Sequence, residues 1–365
     1  MSRGRRRVVA ACLALAGCDS VLRLDDIHTI APSPRALVFD NSSSAIDLVD
    51  FPVLIALDPT KIAYPQVVDL QHDLRFHDEA TDTDLPFEIE HWDPTGESDL
   101  WVKIPVIHAG TTTERVLMFY GPNTRGNSAP DQVWTGYDLV FHGDAMVDST
   151  GHSTPIARAT TGAEPVPAPG AIGNAIQFDG GDGQVVEMVG SEALLAGWNQ
   201  FTLELWVRLD YTPDPYNLGM TGSYANEPSI IDKPLGAVQG GRLRNSTPDV
   251  ASPFILQTDF FWNNSTPLQG EYFYVPNQAW SQITYAYDGQ RLWPYRDGTI
   301  LDFDINDAPV STSTDTTNTL LLGGYGQGVI GEIDEVRVSR TYRDVNWVFA
   351  QYLAMTRHFV TFRDP

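Results

Sequence analysis

Residues 201–210 read Phe-Thr-Leu-Glu-Leu-Trp-Val-Arg-Leu-Asp. The alternation sets Phe201, Leu203, Leu205, Val207 and Leu209 apart from Thr202, Glu204, Trp206 and Arg208. A period of two is the repeat of extended backbone, so this segment predicts a half-buried strand with its apolar face on a core. Residues 282–287 and 291–296 flank Asp288 and Gly289 as the arms of a hairpin. Asp297 and Gly298 end the second arm, and Pro294 inside it predicts an edge or a bulge. Residues 175–179 and 184–188 flank Gly180, Gly181, Asp182 and Gly183, which also reads as a hairpin. Nearer the N-terminus, short strand-like runs at 51–57, 73–77, 85–90, 100–105 and 116–120 are separated by turn residues, with no helical periodicity among them. Many short strands in succession predict an all-β chain of sandwich type rather than βαβ units. At 365 residues there is room for more than one such domain.

The two cysteines, Cys12 and Cys18, both fall within the first twenty residues, so the folded part has neither disulfide nor thiolate metal site. The first seven residues are basic, and 8–16 are apolar and small. The stretch is shorter than a bilayer-spanning helix and has a signal peptide's order. Leu15, Ala16, Gly17 and Cys18 resemble the lipobox of bacterial lipoproteins. That resemblance implies cleavage after residue 17, a lipid on Cys18 and a tether over 18–34 closing with Pro32 and Pro34. It places the protein in the bacterial cell envelope, outside the cytoplasm. Asp19 resembles an inner-membrane retention signal of some Gram-negative bacteria, and inner versus outer membrane stays open.

Lys and Arg total 23 against 47 Asp and Glu, a net charge of −24. A surface that acidic repels phosphate backbones and excludes nucleic acid as the expected partner.

Residues 35–134 resemble the bacterial domain of unknown function 2341. The match rests on Asp50 to Val53, Asp73 to Phe76, Leu85 to Glu90 with Trp92, Trp101 to Pro105, and Phe119, Tyr120 and Gly121. Gly121 is followed by Pro122 and Asn123, where the family has Asn at once. The resemblance implies a β domain of no known activity. Residues 135–365 resemble the laminin G-like, concanavalin A-like jelly roll. The residues that carry it are Gly173, Asn174 and Ala175; Phe178, Asp179 and Gly180; 201–207; Trp280 leading to Tyr287, Asp288 and Gly289; Tyr295 to Gly298; and 331–338. A closing helix over 344–357, with Asp344 as N-cap, fits the same family. Residues 211–252 depart from it as a Pro-, Gly- and Asn-rich insertion around a short strand at 229–232.

Glycosidases of the laminarinase type carry three carboxylates at alternate positions of one strand of this fold. Glu332 and Asp334 fit that spacing. The third carboxylate should follow Asp334 by two or three residues, where Val336 and Arg337 stand, and alternation turns Glu335 to the other face. No Gly-x-Ser-x-Gly elbow occurs, and the eight histidines show no zinc spacing. The expectation is therefore a protein without catalysis. Calcium is the expected ion, as the jelly-roll resemblance implies, with Asp179, Asp182 and Asp334 as its ligands. Asp179 and Asp182 also suit turns, and that alternative stays open. Among the aromatic residues crowded into 260–295, Trp262 is the first candidate for an exposed sugar platform. Trp206, beside Glu204 and Arg208, is the second. The reading that follows is a lipid-anchored binding or adhesion protein whose jelly roll recognises a polysaccharide or another surface protein. A structural scaffold of the envelope is the alternative, and a glycoside hydrolase is the third.

Overall fold

The computed structural model describes residues 33–122, 124–143, 145–181, 183–210, 229–233, 239–244, 254–262, 266–301, 316–323 and 329–365. Its strands form two sandwiches. In the first, a five-stranded sheet runs in the order Val360–Arg363, Ser33–Phe39, Arg115–Tyr120, Leu74–Asp78, Thr83–Leu85. It faces a three-stranded sheet of Leu48–Leu57, Ser98–Ile107 and Phe87–His91. Leu37, Phe39, Phe76 and Met118 from one sheet meet Phe51, Val53, Ile55, Leu100 and Val102 from the other in a closed core.

The second sandwich is the jelly roll. Its eight-stranded sheet is built on Ile330–Ser339, which pairs with Asn174–Asp179, Phe201–Leu209 and Leu139–Phe141. The sheet continues through Ser281–Tyr287 and Leu292–Arg296, the hairpin expected around Asp288. Opposite lies a seven-stranded sheet in the order Thr266–Val275, Phe254–Trp262, Gln239–Arg244, Ser229–Asp232, Leu320–Leu322, Val185–Val189, Thr154–Arg158. Leu203, Leu205, Val207, Ile283, Ile333 and Val336 fill the space between them together with Val186, Met188, Ile231 and Leu322.

Three local readings of the sequence are corrected. Asn174–Asp179 and Val185–Val189 do not pair, because each joins a different sheet. The glycine-rich link is thus a corner between sheets, and Gln184 braces it by accepting the Asp179 and Gly181 N–H groups. Residues 85–90 are likewise two strands. Pro86, which lacks a ladder donor, separates Thr83–Leu85 in the five-stranded sheet from Phe87–His91 in the three-stranded one.

The third correction concerns Phe201–Leu209, which is buried on both faces rather than one. Its polar face lies under the first sandwich. The three-stranded sheet is the intervening layer: Phe51, Val53 and Ile55 point into the first core, while Leu54 and Trp101 pack with Val140 and Trp206 of the jelly roll. Burial on both sides explains the unbroken apolar run at 51–57, since neither face of that strand meets water.

The helix Val345–Met355 forms as the sequence predicts, and Asp344 caps it by accepting the Asn346 and Trp347 N–H groups at 3.0 and 3.1 Å. It lies in the seam. Trp347, Ala350 and Ala354 enter the first core, and Met355 meets Trp206. The chain then returns to its beginning, because Val360–Arg363 pairs with Ser33–Phe39. The C-terminal segment, grouped with the jelly roll on sequence, therefore completes the first sandwich. Among the described residues no helix is long and apolar enough to cross a membrane.

Candidate functional site

The seam holds the densest buried polar cluster of the described residues. Phe87 and Ile89 face the first core, so the alternation of their strand sends Glu88 and Glu90 to the opposite face, toward the jelly roll. His142 follows the buried strand Leu139–Phe141 directly. Glu335 comes from Ile330–Ser339 through a bulge. Glu204 stands opposite Arg337, but Trp206 stands opposite Asp334, so the longer strand carries one extra residue. Glu335 takes up that residue with φ at 51°. The bulge resets the alternation: Ile333, Val336 and Val338 face the jelly-roll core, and both Asp334 and Glu335 emerge on the other side. Simple alternation had turned Glu335 the other way, and the bulge is why that expectation fails.

His142 Nδ1 lies 2.6 Å from Glu335 Oε1 and 3.3 Å from Glu90 Oε2, and its Nε2 is 3.4 Å from Glu88 Oε2. Each carboxylate is held from behind. The Trp101 indole donates to Glu90 Oε2 at 2.5 Å. Ser149 donates to Glu88 Oε1 at 2.6 Å, and Trp134 donates to Glu88 Oε2. Arg337 binds Glu335 Oε2 through Nε and Nη2, and its guanidinium lies 4.0 Å from the Trp101 ring centre and 4.6 Å from that of Trp134. Burial opposes charge on His142, but Glu335, Glu90 and Glu88 outweigh it and hold the imidazolium well above its ordinary range. Burial likewise acts to raise Glu335, yet His142 and Arg337 bring it down to about 2. Burial and the neighbouring Glu335 charge push Glu90 and Asp334 far up. Among the described residues, Glu90, His142 and Glu335 are the one group whose ligand atoms could share a metal ion, all lying within 4.8 Å.

The residues singled out from sequence fare differently. Asp334 is in this layer, fully buried, with Oδ2 accepting the Ala171 and Ile172 N–H groups at 2.8 and 3.1 Å. Asp179 is not with it. It pairs with Ile330 at the start of the strand, and its Oδ1 accepts the Gly181 N–H at 2.9 Å as a turn residue does. Asp182 lies outside the described residues. Asp179 and Asp334 are therefore not brought together, because Asp179 stands beside Ile330 at the start of the strand and Asp334 lies at its middle. Trp206 is 6% exposed, its indole donates to Met355 Sδ at 3.0 Å, and its ring stacks on Tyr352, so it offers no face to a sugar. Its polar neighbours suggested exposure, but the covering domain removes it. Trp262 closes a strand opposite Thr266, and its side chain lies outside the described residues, as does Cys18.

Glu332 pairs with Arg208 at 2.7 Å. Although the bulge brings Glu335 to the side of Glu332 and Asp334, Asp334 and Glu335 are sealed beneath the first sandwich, where no polysaccharide reaches them. Sequence reasoning missed His142, Glu88 and Glu90 because they lie far apart in the chain. Their signal is local: acids alternating with Phe87 and Ile89, and a histidine ending a wholly apolar strand. A separate cleft of about 270 Å³ opens at the surface of the seam, lined by Asn41, Ser44, Thr299, Ile300, Val345 and Asn346 among others. None of the candidate site residues read from sequence borders it.

Residues 71–150 match the family model described as Domain of unknown function (DUF2341). The DUF2341 match covers Glu88, Glu90, Trp101, Trp134 and His142, and thus crosses from the first sandwich into the opening strand of the second. No match is found among curated proteins. Solved structures similar in part include domain 4 of AbnA, an extracellular GH43 arabinanase from Geobacillus stearothermophilus, in complex with arabinotriose. It is 17% identical, with 58% of this chain and 96% of that domain covered and a TM-score of 0.42. The binding domain of Paraclostridial Mosquitocidal Protein 1 is 12% identical, with coverages of 60% and 52% and a TM-score of 0.43. The Botulinum neurotoxin serotype G binding domain is 13% identical, with coverages of 59% and 50% and a TM-score of 0.43. This chain spans about half of the two toxin domains, and likenesses at this level carry no argument about what it binds.

Proposed function

We propose that the chain is a lipid-anchored, non-catalytic binding protein of the bacterial envelope whose jelly roll meets a glycan or another surface protein with its seven-stranded sheet. The observation that carries this reading is the covered face. The first sandwich occupies the outer side of the eight-stranded sheet, so the broad face of the jelly roll left for a partner is the other one. The end of that sheet is the hairpin Phe254–Trp262 and Thr266–Val275. Its sequence supplies Phe254, Phe260, Phe261, Trp262, Tyr272, Phe273 and Tyr274, side chains whose flat faces suit sugar rings. The anchor is Cys18, on the strength of its lipobox. The scaffold reading stays second, favoured by the extent to which the two sandwiches are buried against each other.

A glycan array probed with residues 19–365 separates the two. Binding to a defined glycan class that falls at least tenfold in Trp262→Ala, with melting unchanged, is the expected result. No binding across the array leaves the scaffold and refutes the glycan reading. In cells, Cys18→Ser should move the protein out of the membrane fraction. A variant that still sediments with membranes contradicts the anchor.

A further inference from the structure

We infer that Glu90, His142 and Glu335 bind one divalent transition-metal ion, of the zinc or manganese class, which ties the two sandwiches together. The three ligands come from the strand Phe87–His91, the end of Leu139–Phe141 and the bulge in Ile330–Ser339, so the site exists only when the two sandwiches are docked. Around an ion with bonds of about 2.0–2.2 Å, ligand atoms stand roughly 3.0–3.4 Å apart. The distances from His142 Nδ1, 3.3 Å to Glu90 and 2.6 Å to Glu335, need only a few tenths of an ångström of expansion at the second.

The surroundings are those of a metal site rather than of a simple ion pair. With Nδ1 on the ion, His142 Nε2–H faces Glu88, which Ser149 and Trp134 fix, giving the carboxylate–imidazole–metal order that orients such ligands. Arg337 occupies Glu335 Oε2 and leaves Oε1 toward His142. An independent observation is a polar atom with no partner. Glu90, whose side chain is 1% exposed, leaves its Oε1 without a hydrogen bond, while its Oε2 accepts the Trp101 indole and lies 3.3 Å from His142 Nδ1. One imidazole with carboxylate oxygens suits zinc or manganese better than calcium, which prefers oxygen alone. Full enclosure makes the role structural, not catalytic.

The test uses residues 19–365 refolded with Zn²⁺, Mn²⁺, Ca²⁺ or chelator, then dialysed. The expected outcome is about one zinc or manganese per chain, with melting raised by several degrees over the chelator sample and protons released on uptake. His142→Gln and Glu90→Gln should lose the ion while keeping the far-ultraviolet spectrum. Should either variant fail to fold, X-ray absorption of the loaded unaltered chain decides, and one imidazole nitrogen among oxygen ligands is expected. A chain that retains neither ion overturns the inference. So does stabilisation by calcium alone, or an ion bound through oxygen only.

Discussion

At the scale of single residues, Glu204 shows what burying the polar face of a strand does. It is 1% exposed, and neither of its carboxyl oxygens accepts a hydrogen bond. Burial pushes its carboxyl up, against the pull of Arg337 and Arg343. In the unfolded chain a glutamate ionises near pH 4.3. The folded state thus holds a proton that the unfolded state has lost across the window above that value. The contribution to stability is fully present below about pH 4.3 and declines as pH rises toward the folded-state value. Glu204→Gln removes this dependence. The variant should match the unaltered chain near pH 4 and melt progressively higher than it by pH 8. A variant that melts lower at pH 8 would mean that Glu204 is ionised and paired with its arginines. Alternation carries no notice of this: it places Glu204 correctly opposite the core, but the same pattern describes a face in water and a face under another domain. The expectation of an exposed Trp206 fails for the same reason. Asp334 was singled out and does sit in the polar layer, although with different neighbours from those expected.

Among the elements, those set by local pattern were legible and those set by distant partners were not. The strand Phe201–Leu209, the hairpin around Asp288 and the helix capped by Asp344 follow from spacing and turn chemistry alone. The bulge at Glu335 does not, because an extra residue in one strand is visible only against its partner. Nor does the pairing of Val360–Arg363 with Ser33–Phe39, which joins the two ends of the described chain and brings the Phe359 ring to 5.6 Å from that of Phe51. This closure is testable. Removing residues 358–365 takes away the outer strand and Phe359 while leaving the jelly-roll ladders intact. Hydrogen exchange at Ser33–Phe39 should then accelerate by at least tenfold, whereas exchange at Phe201–Leu209 changes little. Undiminished protection of Ser33–Phe39 would contradict the observed register.

At the scale of the whole molecule, the two sandwiches form four β layers whose middle seam combines apolar packing with the His142 cluster. Such a seam differs from a flexible linker, because opening it would part Glu88 from His142 and Ser149, Glu90 from His142, and Arg337 from the Trp101 ring. The two resemblances read from sequence met at residue 134 as though at a boundary, yet Trp134 itself is buried in the seam. On this union rests the proposal that the seven-stranded sheet is the face that meets a partner. The direct measurement is equilibrium unfolding of residues 19–365 in urea, followed together by tryptophan fluorescence, which Trp101 and Trp134 report from the seam, and by far-ultraviolet circular dichroism. The account predicts one transition with coincident midpoints in both signals. A fluorescence change completed before the strands are lost, or two separated transitions, would show that the sandwiches part independently and would contradict it.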